Sequence, residues 1–101
     1  MDFNYKLLPE AVEDIEQSLE WYEENGGEQL AERFFKAYLD ARQQILDSPE
    51  TYATIFEEFR RIRLKKFPYK IIYKFVSDTI YVIAVVHDKR DPSFWEKRLK
   101  N

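Results

Sequence analysis

Cysteine is absent from this chain of 101 residues, and glycine occurs only twice. Without cysteine there is no disulfide, no thiolate nucleophile and no cysteine-ligated zinc site. A small domain without disulfides is typical of a reducing cytoplasm, which is the compartment that we expect. The two glycines, Gly26 and Gly27, are adjacent, so the chain has no glycine-rich phosphate-binding loop.

Long apolar runs are also lacking. The longest, from Ile80 to Val86, is too short to span a bilayer, and residues 1–6 lack the apolar core of a signal peptide. We therefore expect no contact with a membrane. The composition of 45% hydrophobic and 17% aromatic residues nevertheless provides a packed core and argues against disorder. The length predicts one domain over residues 1–101.

The two signs of charge are unevenly distributed along the chain. Residues 1–58 contain fifteen Asp and Glu against four Lys and Arg, whereas residues 59–101 contain twelve Lys and Arg against four Asp and Glu. The net charge of −3 therefore hides an acidic N-terminal part and a basic C-terminal part. This division predicts a surface for an anionic partner, either nucleic acid or an acidic protein segment.

Apolar periodicity predicts a strand and two helices in the acidic part. Residues 3–7 alternate between apolar and polar, as in a strand with one buried face. From Pro9 the apolar spacing changes to three and four, which predicts amphipathic helices that are interrupted at residues 25–27 and end before Pro49. Because the interruption is short, the two helices should run antiparallel, so residues 9–47 should form an αα-hairpin.

The basic part has the period of two that is typical of a sheet. After a predicted loop over residues 52–59, we expect a strand over residues 61–65 and two longer strands over residues 70–76 and 79–86. The last strand is almost continuously apolar, which marks it as central. Asp91-Pro92 predicts the start of a short terminal helix. The whole is a two-layer α+β domain, with the α-helical hairpin packed on an antiparallel β-sheet.

The cationic strand is the first candidate site. Arg61, Arg63 and Lys65 recur at every second position, about 6.5–7 Å apart along one face of the strand. That spacing is close to the phosphate repeat of an extended single strand, and arginine binds phosphate in bidentate fashion. The alternative is a solvated outer strand whose charges prevent edge-to-edge aggregation. The sequence leaves both interpretations open.

The turn after the central strand is the second candidate site. His87 is the only histidine, and its side chain is the natural candidate for proton transfer near neutral pH. The alternative is a structural histidine that hydrogen-bonds a loop and orders the turn into the last helix. No second histidine exists to complete a metal site, and we expect no metal or cofactor. Tyr69 is a candidate for stacking on a base, and Trp95 for binding or for closing the core.

Several motifs together resemble the RelE/ParE superfamily of toxins from bacterial type II toxin–antitoxin systems. The similarity extends over nearly the whole chain and rests on Ala11, Asp14, Ile15, Trp21-Tyr22, residues 67–73 (Phe-Pro-Tyr-Lys-Ile-Ile-Tyr), His87, Arg90-Asp91-Pro92 and Trp95. It implies a helical hairpin on an antiparallel sheet and a toxin that a cognate antitoxin neutralises. It also implies that the toxin reaches operator DNA only through the antitoxin. We expect the antitoxin in a groove between the hairpin and the cationic sheet.

The resemblance implies two alternative targets. One branch of the superfamily cleaves mRNA on the ribosome, and the ParE branch inhibits DNA gyrase by protein–protein contact without a catalytic site. In an mRNA endonuclease the catalytic residues here would be His87, Arg90, Arg61 and Lys70. Because Trp95 but no tyrosine follows Arg90 and the net charge is acidic, we expect a ParE-like toxin of a plasmid stabilisation system. The alternatives are an mRNA interferase and a degenerate member that binds a partner without toxicity.

Overall fold

The computed structural model describes residues 2–100, in which a helical hairpin lies on one face of a five-stranded sheet. The elements are β1 (Asn4–Leu7), α1 (Pro9–Asp47), β2 (Thr54–Phe56), β3 (Phe59–Arg63), β4 (Tyr69–Val76), β5 (Thr79–His87), α2 (Ser93–Glu96) and a 3₁₀ helix (Lys97–Lys100). The strands lie in the order β1-β5-β4-β3-β2. The predicted α+β class, hairpin layer and short terminal helix are confirmed. None of the helices in residues 2–100 combines the length and the apolar composition that a membrane span needs.

The sheet differs from the predicted one at both edges. β1 pairs with β5 in parallel, with Asn4 opposite Thr79, whereas the pairs β2–β3, β3–β4 and β4–β5 are antiparallel. Side-chain alternation is the same in both directions, so periodicity identified β1 as a strand without giving its direction. The predicted loop over residues 52–59 contains β2, which is an edge strand of three residues. A strand so short shows no readable period.

The hairpin reverses direction at Gly27, whose φ of 84° and ψ of 172° interrupt α1. Its two arms are residues 9–26 and residues 28–47. The rings of Tyr22 and Phe34 stack with centroids 5.0 Å apart, whereas twelve residues of continuous helix would separate them by about 18 Å. The two arms therefore lie side by side, and the predicted αα-hairpin is confirmed.

Apolar clusters on both faces of the sheet hold the layers together. The inner cluster lies between the sheet and the hairpin, and its members include Phe34, Ile45, Ile62, Tyr69, Tyr73 and Val85. The outer cluster lies on the opposite face, and its buried members are Phe59, Ile72, Ile83, Ala84, Val86 and Trp95. Because β5 contributes to both clusters, its nearly continuous apolar run is explained, and its central position is confirmed as predicted.

A buried ion pair closes the part of the β5 edge that β1 leaves open. β1 pairs with β5 only as far as Val82. Beyond that point Asp14, which is 7% exposed, accepts a hydrogen bond from the Val85 N–H at 3.0 Å. The Asp14 carboxylate also accepts two hydrogen bonds from the Arg98 guanidinium, at 2.7 and 3.2 Å. Arg98 in turn donates to the Ile83 carbonyl at 3.1 Å. One carboxylate thus joins the first helix, the sheet edge and the C-terminal 3₁₀ helix.

The loop after the hairpin is fastened by two side chains of the sheet. Tyr73 donates its hydroxyl to the Pro49 carbonyl at 2.7 Å, and burial raises the pKa of this phenol to about 12. Arg60 donates to the carbonyls of Glu50 and Tyr52 at 3.0 and 2.7 Å. Arg60 is therefore committed to the loop, although it belongs to the basic part of the chain.

Replacing Gly27 by alanine should destabilise the fold. A positive φ combined with an extended ψ is accessible almost only to glycine, so we expect Gly27→Ala to lower the free energy of unfolding by about 1–3 kcal/mol. Glu24→Ala is the control, because Glu24 is helical and exposed, whereas a Cβ added at Gly26 would clash with Leu30 Cδ2. Urea unfolding followed by circular dichroism measures both variants. Equal losses would contradict the assignment of the chain reversal to Gly27.

Candidate functional site

His87 and Arg90 lie in an open groove between the first arm of α1 and the C-terminal end of β5. We call it the His87 groove. It is lined by Asp14, Gln17, Ser18, Trp21, Tyr69, Val85, Val86, His87, Arg90 and Phe94. Trp21 is 56% exposed and forms the outer wall. The groove thus combines an accessible indole, an imidazole and a guanidinium, which are the side-chain types that recognise a protein or nucleic-acid partner.

The imidazole of His87 is held by the turn that follows it. Its Nδ1 accepts a hydrogen bond from the main-chain N–H of Lys89 at 3.0 Å, and the His87 carbonyl accepts one from the Arg90 N–H at 3.0 Å. The ring also packs edge-to-face on Tyr69, with centroids 5.3 Å apart. Because Nδ1 is an acceptor, the neutral ring carries its proton on Nε2. This geometry corresponds to the loop-ordering role.

Arg90 extends over the ring of Phe94, with its guanidinium carbon 3.7 Å from the ring centroid. No carboxylate of residues 2–100 forms an ion pair with it. The turn is completed by Asp91, which accepts the Ser93 N–H at 2.9 Å. This main-chain hydrogen bond lowers the pKa of the Asp91 carboxyl below its ordinary value. The predicted start of the terminal helix is therefore confirmed, and it fixes Arg90 and Phe94 relative to each other.

The remaining predicted catalytic residues lie on the other face of the sheet. Strand alternation turns His87 towards the hairpin and turns Arg61 and Lys70 towards the outer cluster, where the Lys70 Nζ lies 5.3 Å from the Trp95 ring centroid. The structure thus brings His87 and Arg90 together and places the sheet between them and the other two. The antitoxin position expected between the hairpin and the cationic sheet stays a prediction, and a groove lies there, but Arg61 and Lys70 face the opposite side of the sheet.

The cationic repeat of β3 is shorter than predicted. The strand ends at Arg63, so Lys65 lies in the bend beyond it. Arg63 forms an ion pair with Asp88, which neutralises its charge in part. Arg61 is exposed and has no carboxylate partner within the part of the chain that the structure describes. The three side chains therefore differ in their surroundings and do not form one uniform row.

The two aromatic residues proposed for binding are both largely buried. Tyr69 and Trp95 are each 8% exposed. Tyr69 packs against Phe34 with ring centroids 4.8 Å apart, and Trp95 belongs to the outer cluster. Both rings therefore close the cores, and little ring surface is left for stacking on a base.

Trp21 is a groove residue that the predicted site residues did not include, although the sequence leaves it open as core or as an exposed apolar patch for a partner. Its neighbour Tyr22 lies on the inner stripe of the first helix and is 8% exposed, so Trp21 falls beside that stripe. A large aromatic side chain one position away from a buried stripe is the signal that could have identified it. Within residues 2–100 no cluster of His, Asp or Glu side chains is arranged to hold a metal ion.

The hydrogen bond to Lys89 predicts one tautomer for His87. We expect the neutral imidazole to carry its proton on Nε2, because Nδ1 accepts the main-chain N–H. Long-range ¹H–¹⁵N correlation spectra of the single histidine distinguish a protonated from an unprotonated Nδ1 directly. A neutral ring with its proton on Nδ1 would contradict the loop-ordering geometry. His87→Asn retains an acceptor near Nδ1 and should keep the turn, whereas His87→Ala should increase amide exchange at Lys89.

This sequence is similar to a known protein family. The family model of the ParE toxin of type II toxin-antitoxin system, parDE, matches residues 5–92. Toxin ParE2 of Mycobacterium tuberculosis is 25% identical over 88 residues, which cover 86% of this chain and 83% of the relative. The match includes the first helix and ends at the Asp-Pro pair of the C-terminal turn.

Solved structures have the same fold at low sequence identity. A chain of the chromosomal ParDE system from P. aeruginosa superposes with a TM-score of 0.74 at 12% identity, covering 84% of this chain and 95% of that one. A mutant of the E. coli toxin RelE in the free state gives a TM-score of 0.66 at 16% identity, covering 98% and 99%. The resemblance to the superfamily is thereby confirmed. Since the family model matches most of its length, the chain belongs to the family of ParE toxins of type II toxin–antitoxin systems.

Proposed function

We propose that this toxin inhibits DNA gyrase by protein–protein contact and that a cognate antitoxin neutralises it. The observation that carries the proposal is the state of the acid–base groups in the His87 groove. Cleavage of RNA by its own 2′-hydroxyl needs a base and an acid at the same phosphate. His87 uses Nδ1 to accept the Lys89 N–H, so its neutral ring presents a donor at Nε2 and not a base. The carboxylate of Asp14, which could otherwise serve as the base, is bound by Arg98.

The other lining residues do not supply a second proton-transfer group. Gln17 and Ser18 do not titrate in the neutral range, and Tyr69 is 8% exposed in the inner cluster. What the groove does offer is the exposed indole of Trp21 beside the guanidinium of Arg90. Tryptophan and arginine are the residues most enriched at the energetic centres of protein interfaces. This composition supports an inhibitor that binds a protein surface.

Pairing with an antitoxin is supported by the kind of neighbour that shares the fold. The P. aeruginosa structure is of a ParDE toxin–antitoxin system. This chain also carries a cationic outer face opposite an acidic hairpin, and such a division suits a partner with acidic segments. We therefore expect the product of the adjacent gene to form a stable complex with the toxin and to raise its solubility.

An mRNA endonuclease is the second candidate. It is favoured by one observation, the guanidinium of Arg90, which faces the same groove as His87 without a carboxylate partner in residues 2–100. Such a group can bind a phosphate. The fold similarity to RelE is compatible with either candidate, because a fold does not determine function.

Two substitutions distinguish an inhibitor from a nuclease. For an inhibitor, the wild type should block supercoiling by purified gyrase, and His87→Gln should retain this inhibition as long as the C-terminal turn stays ordered. Expressing cells should show arrested replication with intact transcripts. For a nuclease, His87→Gln should reduce translation-dependent mRNA cleavage by about 10²–10⁴-fold. Arg90→Ala should have a similar effect, since it removes charge stabilisation at the phosphate.

Mapped mRNA cuts that disappear in His87→Gln would therefore overturn the inhibitor proposal. Both variants must first be shown to fold and to bind the product of the adjacent gene. A chain that is freely tolerated when expressed alone, and that binds no such product, would contradict the toxin–antitoxin pairing itself.

A further inference from the structure

The outer face of the sheet carries an apolar slot that the His87 groove does not include. It lies between β2 and the C-terminal helices and is lined by Ile55, Phe56, Trp95, Glu96, Leu99 and Lys100. We call it the outer slot. Phe56 is 54% exposed, although its ring stacks on Phe59 with centroids 6.3 Å apart. A large exposed aromatic side chain beside an apolar depression is typical of an interaction site.

Trp95, which lines the slot, carries an unpaired hydrogen-bond donor. The residue is 8% exposed, and its Nε1–H is buried without an acceptor among the described residues. Buried indole N–H groups normally have an acceptor, so an unpaired one is destabilising. A carbonyl or carboxylate oxygen from a partner, reached by a small movement of the slot side chains, would satisfy this donor.

Three cations lie on the outer face or in the slot lining, and the nearby acidic residues are Glu96 and, next to Phe56, Glu57 and Glu58, of which Glu58 is paired with Lys74. Arg61 is exposed, Lys70 lies over the Trp95 ring at 5.3 Å, and Lys100 lines the slot itself. None of these three cations has a carboxylate partner within residues 2–100. Glu96 is the acidic residue in the lining. The potential at the slot therefore favours an anionic partner.

The geometry favours an acidic polypeptide over a nucleic-acid strand. Phe56 is the one exposed ring of the slot, whereas Phe59 and Trp95 are 5% and 8% exposed, so successive bases would have no second ring to stack on. The ion pair between Arg63 and Asp88 also interrupts the row of cations that a phosphate backbone would follow. In contrast, the exposed side of Phe56 suits one apolar side chain with carboxylates on either side of it.

We propose that the outer slot binds an acidic segment of a partner protein. The segment places one apolar side chain against Phe56, a main-chain or carboxylate oxygen on the Trp95 Nε1–H, and carboxylates near Arg61 and Lys100. The proposal rests on the proposed function for the identity of the partner, which is the antitoxin. It requires the C-terminal helices to stay in place.

The indole N–H signals provide a direct test. The chain has two tryptophans, and only Trp95 lines the slot. Titration with a short glutamate-rich peptide that contains one leucine should move the Trp95 indole ¹H–¹⁵N signal downfield, as Nε1–H gains an acceptor. The Trp21 signal should stay unchanged. A peptide with serine in place of the leucine should bind more weakly, and oligouridylate should not move the Trp95 signal.

Matched variants distinguish binding at the slot from a general effect of the net charge of the protein. Arg61→Glu and Phe56→Ser should each weaken binding of the peptide by about tenfold or more at low salt. Arg33→Glu makes the same change of charge on the hairpin, and Phe35→Ser removes another exposed ring there, of which 39% is accessible. Both controls should leave the dissociation constant within about threefold of the wild type.

Three results would overturn the proposal: equal weakening by Arg33→Glu and Arg61→Glu, a Trp95 signal that does not move, or preferential binding of oligouridylate. The same variants should weaken the complex with the adjacent gene product. If that complex is unaffected while it still suppresses gyrase inhibition, the outer slot is not the docking site and the proposed function stands. If gyrase is never inhibited, the proposed function fails independently of the slot.

Discussion

The carboxylate of Asp14 is the group on which the rest of this structure depends. It accepts the Val85 N–H and two hydrogen bonds from Arg98, and the exposed fractions of the Arg98 and Asp14 side chains are only 12% and 7%. A buried ion pair gains little over an apolar pair, because both charges lose their hydration. Removing one partner is far more costly, since the remaining charge stays buried and unpaired. Losing either partner should therefore destabilise the packing of the first helix, the sheet edge and the C-terminal helices.

The shape of both candidate surfaces depends on this ion pair. Arg98 holds the C-terminal helices against the sheet, and these helices carry Phe94 into the His87 groove and Trp95 into the outer slot. Asp14 also lines the His87 groove itself. The groove and the slot lie on opposite faces of the sheet, and the same C-terminal turn contributes a wall to each. A single segment of the chain thus contributes to both surfaces, the one that we propose for the target and the one that we propose for the antitoxin.

The sequence predicted those features that repeat with a fixed period or that need a particular residue type. The hairpin followed from apolar spacing and the adjacent glycines, and the central position of β5 followed from its apolar run. The direction of β1 did not, because alternation is the same for parallel and antiparallel strands. The partnership of Asp14 with Arg98 was also beyond reach, since 84 positions separate them and neither belongs to a local pattern.

For the candidate site, the sequence singled out His87 and Arg90, and both line the same groove, while their roles stay predictions. It could not tell that Lys70 and His87 face opposite sides, because that depends on the register of β4 on β5. It grouped Lys65 with Arg61 by spacing alone, whereas β3 ends at Arg63. Residues of the same type also differ in exposure, since Trp21 is 56% exposed and Trp95 is 8% exposed. Such differences arise from packing and leave no signal in composition.

The most direct test of this account is the coupling free energy between Asp14 and Arg98. Asp14→Asn removes the charge but keeps an acceptor for Val85, and Arg98→Met keeps the apolar stem, so the cycle isolates the ion pair. We expect each single variant to lose about 3–5 kcal/mol of unfolding free energy. The double variant should lose less than the sum, with a coupling of about 1–3 kcal/mol. Additive losses would show that the two residues act independently, and would contradict the claim that this pair joins the helix, the sheet edge and the C-terminal turn.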